Sequence, residues 1–215
     1  MQIKQELFLQ LKEYFQMLKR LFDFICSIVG LTLLSPILLI IALWVKLDSP
    51  GPIFFKQERI GRYGVRFNIY KFRSMIMCAD KKGLLTVGSD PRITNCGRFI
   101  RKLKIDELPQ LVNVLFGSMS LVGPRPEVEE YINFYPDEVK AIILSVRPGI
   151  TDKASIEMID ENEILAGEKN PKKTYVDVIL PIKQQYYLEY VKRHSLAYDV
   201  ALIFKTLARI FSRKA

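Results

Sequence analysis

Hydrophobic and polar positions divide this chain sharply. Phe24 to Val45 is a run of 22 residues without a charge, FICSIVGLTLLSPILLIIALWV. As a helix it would be about 33 Å long, roughly one hydrocarbon core. Ser35 and Pro36 sit near its middle. Proline removes a backbone donor and crowds the preceding turn, so the pattern predicts a bend or break there. Upstream, Leu7, Leu11, Phe15 and Leu18 recur at helical spacing and predict a short interfacial helix leading into the apolar element. Downstream, KLDSPGP reads as a turn.

The flanks bear on topology. Lys4, Lys12, Lys19 and Arg20 precede the run; Lys46, Lys56, Arg59, Arg62 and Arg66 follow it. Basic residues beside a membrane segment favour the cytoplasmic side, and here both sides are basic. A helix that enters, breaks at Ser35-Pro36 and leaves on the same face satisfies both. A single kinked span would place the first basic cluster outside. A signal peptide fits less well, because the stretch is long, lies far in and has no small-residue cleavage site after it. The expected division is a membrane element over residues 1–47 and a globular part over 48–215.

Periodicity changes after the turn. Ile53-Phe54-Phe55 and Phe67-Asn68-Ile69-Tyr70 read as paired strands around Gly61 and Gly64. Asp80 to Thr94 reads as a surface loop. A helical pattern begins at Gly97, with Phe99, Ile100 and Leu103, and resumes as QLVNVLFG after Asp106-Glu107-Leu108-Pro109. Pro109 is tolerated only in a first helical turn, which makes Asp106 the expected N-cap. Gly117 ends that helix. Ser120 to Pro126 reads as a stiff extended loop, Glu127 to Val146 as helix interrupted at Pro136, and Arg147 to Thr151 as a turn. Ile182 to Phe211 reads as one or two basic amphipathic helices that either cap the core or lie on lipid. The fold class is therefore α+β, predominantly helical.

Composition narrows the function. The chain has 215 residues and a formal net charge of +9. About 170 residues outside the membrane element suffice for one cored domain. Cys26, Cys78 and Cys96 lack metal spacing and suggest a reducing compartment. Beside an apolar anchor, the positive charge points to anionic lipid headgroups or a phosphorylated substrate. Nucleic acid is disfavoured, since neither a recognition helix nor an aromatic stacking platform is evident. His194 is the only histidine, which argues against a His-based metal cluster or a Ser-His-Asp triad.

Asp106 and Glu107 are the first chemical candidates. A carboxylate at a helix N-terminus, near Arg98, Arg101, Lys102 and Lys104, would stay ionised and could act as nucleophile or metal ligand. Mg2+ needs one or two carboxylates plus substrate phosphates, which this pair could supply. Two adjacent acids are also common on ordinary surfaces. Arg125, between Pro124 and Pro126, would present a guanidinium from a restricted backbone, suited to phosphate. Lys56, Arg59, Lys71, Arg73 and Arg147 are further phosphate-binding candidates. No Walker loop or G-x-G-x-x-G fingerprint occurs.

Several ordered motifs together carry a resemblance. They are KRLFD at 19–23, the Ser35-Pro36 pair, DSPGPIFFKQERIGRYG at 48–64 and KFRSM at 71–75. DELPQLVNVLFGSMSLVGPRPE at 106–127 and RPGIT at 147–151 follow. From Lys19 to Phe211 the chain resembles the bacterial sugar transferases, the small monotopic polyprenyl-phosphate phosphoglycosyl transferases. The resemblance implies a reentrant membrane helix and a globular part on the cytoplasmic face of the bacterial inner membrane. It implies that Asp106 attacks the sugar-linked phosphate of a UDP-sugar, releases UMP and carries a phosphosugar to polyprenyl phosphate, with Glu107 assisting and Mg2+ in the same site. It implies that the Pro124-Arg125-Pro126 loop contacts phosphate or substrate. After RPGIT many relatives continue with Gly, Trp and Gln, whereas this chain has Asp152-Lys153-Ala154-Ser155-Ile156, which leaves the sugar open. Anionic membrane lipids are expected partners, and a homodimer is left open. The alternative is a catalytically reduced relative serving in assembly; it would be marked by loss of Asp106, Glu107 or Arg125, and all three are present.

Overall fold

A computed structural model describes residues 2–79, 83, 85–88, 90–158 and 161–212. The chain opens with one helix, α1 (Gln2–Asp48), of 47 residues. At 1.5 Å per residue it is about 70 Å long, more than twice a hydrocarbon core. The expected break is not present as a gap in helical structure: Pro36 lies inside α1. The reason is local. Pro36 lacks the N–H that would serve the carbonyl of Thr32, and the Ser35 hydroxyl donates to that carbonyl at 2.8 Å instead. In an apolar medium an orphaned carbonyl has no water to turn to, so this substitution of donor lets the helix continue.

One stripe of α1 faces the rest of the protein along most of its length. Asp23, Ser27, Ile41 and Val45 are buried. The Asp23 carboxylate accepts the Leu121 N–H at 3.1 Å, and Lys19 pairs with the wholly buried Asp199 and donates to the Val122 carbonyl. Arg20 donates to the carbonyls of Val114 and Leu115 at 2.5 and 2.7 Å. The KRLFD motif is thus a set of clamps between α1 and the globular part. Ile25, Val29, Leu33, Leu39, Ile40 and Leu43 stay exposed on the remaining faces. Residues Glu13–Asp48 are long and apolar enough to cross a membrane, and their most apolar 18-residue stretch has a mean hydropathy of 2.6.

β1 (Phe54–Ile60) and β2 (Arg66–Phe72) form an antiparallel hairpin, longer than the apolar pieces predicted. α2 (Asn95–Lys102) starts at Thr94, whose side chain accepts the Gly97 N–H, and packs with Phe72, Cys96 and Ile100 against Ile41 and Val45 of α1. A 3-10 turn (Ile105–Glu107) leads to α3 (Gln110–Phe116), which Gly117 ends at φ 86°. Part of the predicted Asp80–Thr94 loop lies outside the described residues.

The expected loop at 120–126 and turn at 147–151 are in part strands. β3 (Ser120–Val122) and β4 (Gly149–Thr151) pair in parallel. Glycine is required where they meet: a Cβ on Gly149 would come within 2.1 Å of the Gly123 nitrogen. Gly149→Ala is therefore expected to destabilise the fold by about 1–3 kcal/mol and to lower activity by displacing the adjoining Pro124-Arg125-Pro126 loop. Thermal unfolding and initial rates check it.

α4 (Glu129–Ile132) and α5 (Asp137–Ile143) flank the interruption at Pro136. α6 (Lys153–Glu157), α7 (Glu161–Ala166) and α8 (Pro171–Thr174) follow. A π-helical turn at Tyr175–Ile179 leads into α9 (Leu180–Arg193) and then α10 (Leu196–Ser212). The largest core cluster joins Tyr131, Tyr135, Ile143, Leu165, Tyr175, Ile179 and Tyr187. α10 buries Leu202 against Val122 and Tyr190 while leaving Phe204 and Leu207 exposed, so it caps the core and keeps an apolar outer face.

Candidate active site

Alternation along the hairpin sorts the basic candidates. Directly paired residues of an antiparallel ladder share a face. Lys71 pairs with Phe55 and Arg59 with Phe67, while Lys56 pairs with Tyr70 on the opposite face. Lys71 and Arg59 therefore turn towards α3 and the Pro124–Pro126 loop. Lys56 is exposed, its ammonium 5.3 Å from the centre of the Tyr70 ring, and does not join them.

Lys71 meets Glu107. Its ammonium lies 2.8 Å from Oε1. The Arg125 guanidinium grips the same carboxylate with both ends, Nη1 to Oε2 at 3.1 Å and Nη2 to Oε1. Burial alone would raise the Glu107 pKa, but Arg125 and Lys71 outweigh it and hold the carboxyl well below the usual range. Glu107 in turn raises Arg125. Burial lowers Lys71, and Glu107 offsets part of that. Arg125 keeps 27% of its side chain exposed against 10% for Glu107, so the guanidinium remains reachable from outside.

The arginine loop is pinned on both sides. The Pro124 carbonyl accepts the Gly149 N–H at 3.0 Å, and the Pro126 carbonyl accepts from Arg59 Nη1 at 3.2 Å. Arg59 also lies 3.7 Å from Glu127, whose other oxygen accepts the Tyr175 hydroxyl at 2.9 Å. Lys183 donates to Tyr175 and pairs with Glu161 at 2.7 Å. This buried network fixes the back of the loop, and sequence reasoning missed most of it. Tyr175 and Lys183 lie outside the motifs, and Glu127 only ends the one at 106–127; the three become meaningful together once α9 is packed against α5.

Asp106 occupies a different environment from the one expected. It is not the N-cap of α3. It sits within the 3-10 turn, whose cap is Lys104 at φ 57°, and Pro109 precedes the α-helix. The substitution of a tight turn for a cap follows from the four residues before Gln110, which are already coiled. The ionised state is consequently not secured by free helix N–H groups. Burial raises the Asp106 pKa, the Glu107 charge raises it further, and Lys71, Lys104 and Arg101 pull it down without cancelling the rise. Asp106 Oδ1 is buried with no protein partner, and the same is true of Gln110 Nε2 four residues later. Buried polar atoms are ordinarily satisfied, so the orphaned carboxylate oxygen beside a clamped Glu107 is free to take a ligand.

The donor set also fits Mg2+. Asp106 offers a hard oxygen free of protein partners, whereas both Glu107 oxygens already accept from Arg125. Among the described residues no group of three or more metal-binding side chains occurs.

Arg73 and Arg147 are placed elsewhere. Arg73 closes the end of α1, donating to Val45, Ser49 and Pro50 carbonyls at 3.0, 2.6 and 2.5 Å. Arg147 Nε donates to the Gly117 carbonyl at 3.0 Å, at the far end of α3. Asp152, where the sequence departs from its expected pattern, caps α6 through the Ser155 N–H and hydroxyl. Burial raises its pKa, and those hydrogen bonds and Arg125 oppose the rise.

A family model for bacterial sugar transferases matches residues 14–213. The chain belongs to the bacterial sugar transferase family. A UDP-glucose:undecaprenyl-phosphate glucose-1-phosphate transferase of Escherichia coli K12 is 39% identical over 93% of this chain and 41% of its own length. A UDP-N-acetylgalactosamine-undecaprenyl-phosphate N-acetylgalactosaminephosphotransferase of Aeromonas hydrophila is 37% identical over 91% of this chain and 44% of its own. The chain thus spans less than half the length of these two relatives. An exopolysaccharide production protein of Rhizobium leguminosarum is 37% identical over 91% of this chain and 96% of its own length.

In this sugar transferase the two-pronged contact of Arg125 makes a prediction. Lysine keeps the charge but has no fork. Arg125→Lys is expected to retain about a tenth of the activity and Arg125→Ala about a hundredth or less. Full activity of the lysine variant would leave simple charge attraction as the account.

Proposed function

We propose that this protein is an enzyme that transfers a sugar 1-phosphate from a UDP-sugar to polyprenyl phosphate. The observation that carries the reading is the Asp106 carboxylate, buried and unpartnered at Oδ1, beside a Glu107 held by Arg125 and Lys71. An Asp106 oxygen attacks the sugar-linked phosphorus, and the phosphorus–oxygen bond to the UMP leaving group breaks. A polyprenyl phosphate oxygen then attacks the same phosphorus and releases Asp106. The product is a polyprenyl-diphospho-sugar. Arg125 and Lys71, which meet at Glu107, would balance a diphosphate's charge. Mg2+ held by Asp106, with Glu107 beside it, would offset further negative charge. UMP release with a panel of UDP-sugars, with and without polyprenyl phosphate, tests the reading. Release of UMP from none of them would contradict it.

The same reading divides the chain into a membrane element, residues 1–47, and a catalytic part, residues 48–215, on the cytoplasmic face of the bacterial inner membrane. Monotopic rather than spanning topology is supported by the stripe from Lys19 to Val45, which meets the globular part over about 40 Å of helix. A span perpendicular to the bilayer would drag that contact surface through the hydrocarbon. Tyr14 and Tyr63 are both exposed. In oriented vesicles, cysteines at these two positions, in a background lacking Cys26, Cys78 and Cys96, are expected to label from the same face. Labelling from opposite faces would sink the monotopic reading.

A further inference from the structure

A second basic cleft lies away from the Asp106–Glu107 cluster. It is an open groove of about 450 Å³ between α1 and the segments that carry Arg62 and Arg147, with Arg20 in its wall. Neutral backbone carbonyls hold all three guanidinium groups. Arg20 donates to Val114 and Leu115, Arg62 Nε to Ser145 at 2.9 Å, and Arg147 Nε to Gly117. Arg62 Nη2 also reaches Gln16 Oε1 at 3.2 Å. None of the three forms an ion pair among the described residues; the nearby acid, Asp23, is engaged by the Leu121 N–H. Burial lowers the Arg147 pKa, the charges of Arg62 and Arg20 lower it further, and Asp23 opposes the fall. An arginine carries five N–H donors, and both Nη groups of Arg147 lack a protein acceptor among the described residues. Three guanidinium groups line one groove, with the nearby Asp23 carboxylate offsetting only part of their charge, which favours an anion there. The rest of the wall is apolar: Met17, Leu21 and Phe24, all exposed.

We propose that this cleft holds an anionic phospholipid of the membrane, its phosphate on Arg20, Arg62 and Arg147 and its acyl chains along Met17, Leu21 and Phe24. The apolar wall runs directly into the uncharged stretch that begins at Phe24, so a bound lipid's chains continue towards the hydrocarbon with the rest of α1. Fixed guanidinium groups suit phosphate oxygens better than they suit a zwitterionic headgroup's choline.

Geometry separates this lipid from the acceptor. The seven-residue α3, about 10 Å long, separates the turn that holds Asp106 from the Arg147 contact at Gly117. Reacting atoms must approach to about 3–3.5 Å. A phosphate in this cleft is therefore a resident of the protein and takes no part in transfer. The inference stands whether or not the proposed reaction is correct.

The full chain, extracted in detergent and examined by native mass spectrometry, tests the site. Phosphatidylglycerol, phosphatidylcholine, polyprenyl phosphate and inorganic phosphate are offered separately and in competition. One phosphatidylglycerol is expected to stay bound, neither phosphatidylcholine nor inorganic phosphate to replace it, and equimolar polyprenyl phosphate to leave it in place. Arg62→Gln and Arg147→Gln are each expected to weaken retention about tenfold, with Arg147→Lys intermediate. Arg20 variants are avoided because Arg20 also closes α3; circular dichroism establishes that the other variants fold. Equal retention of phosphatidylcholine, unchanged retention in both glutamine variants, displacement by inorganic phosphate, or displacement by polyprenyl phosphate would each overturn the proposal, the last by making the cleft an acceptor site.

Discussion

Replacing Asp106 with asparagine is expected to lower turnover by about 10³-fold or more while raising the melting temperature by a few degrees. Both effects come from one property of the site. In the proposed reaction the carboxylate is the group that forms a bond to phosphorus, and an amide cannot replace it. Yet burial and the adjacent Glu107 raise its pKa, so the folded protein prefers the proton more than the unfolded chain does. For a carboxyl raised in this way, stability is fully present below the unfolded pKa and is lost as pH rises through the folded one. At neutral pH the ionised Asp106 therefore costs stability, and asparagine removes that cost. In the metal-free protein the Asp106 proton is expected to leave above the ordinary aspartate range, and added Mg2+ is expected to move the acid limb of the rate profile down. Rates across pH and thermal unfolding of both proteins check this. A variant that is inactive and also strongly destabilised would assign Asp106 a structural role instead.

Glu107→Gln is expected to act in the opposite sense on stability. The substitution removes the counter-charge of Arg125 and Lys71 from a site where each is mostly buried. Leaving two cations unpaired is expected to cost about 2–4 kcal/mol, or about 10 °C in melting temperature, and about 10²-fold in turnover. The Glu107 pKa is held low, so its contribution is present above the unfolded pKa of a glutamate and is lost as pH falls through the folded value. Loss of Glu107 also leaves Lys71 with burial and the Arg125 charge pressing its pKa down and its main support gone. Glu107→Asp is expected to restore part of both losses. Wild-type stability in Glu107→Gln would contradict the clamp.

Much of this was legible in the residues, for physical reasons that differ from element to element. The hairpin followed from β-branched and aromatic runs around two glycines, and the end of α3 from Gly117. Pro36 was legible as a bend or break; helical structure runs through it, because its consequence depends on Ser35 supplying a donor to the Thr32 carbonyl. Asp106 was legible as an acid before a proline, yet its cap position was not, since a 3-10 turn and a cap use the same residues. β3 and β4 are three residues each and pair across almost thirty positions, so no local pattern announces them. Of the basic candidates, Lys71, Arg59 and Arg125 converge while Lys56, Arg73 and Arg147 do not. Charge says that phosphate is near; only the ladder register and the carbonyls each arginine serves say which guanidinium is left to meet it.

The central claim is that Asp106 becomes covalently attached to the transferred phosphosugar. Intact-protein mass spectrometry after brief exposure to a UDP-sugar, in the absence of polyprenyl phosphate, tests it most directly. The account predicts an added sugar-phosphate mass on the wild-type chain, mapped to Asp106, absent from Asp106→Asn and discharged when polyprenyl phosphate is added. An adduct on another residue, or no adduct under rapid quench while product still forms, would contradict it.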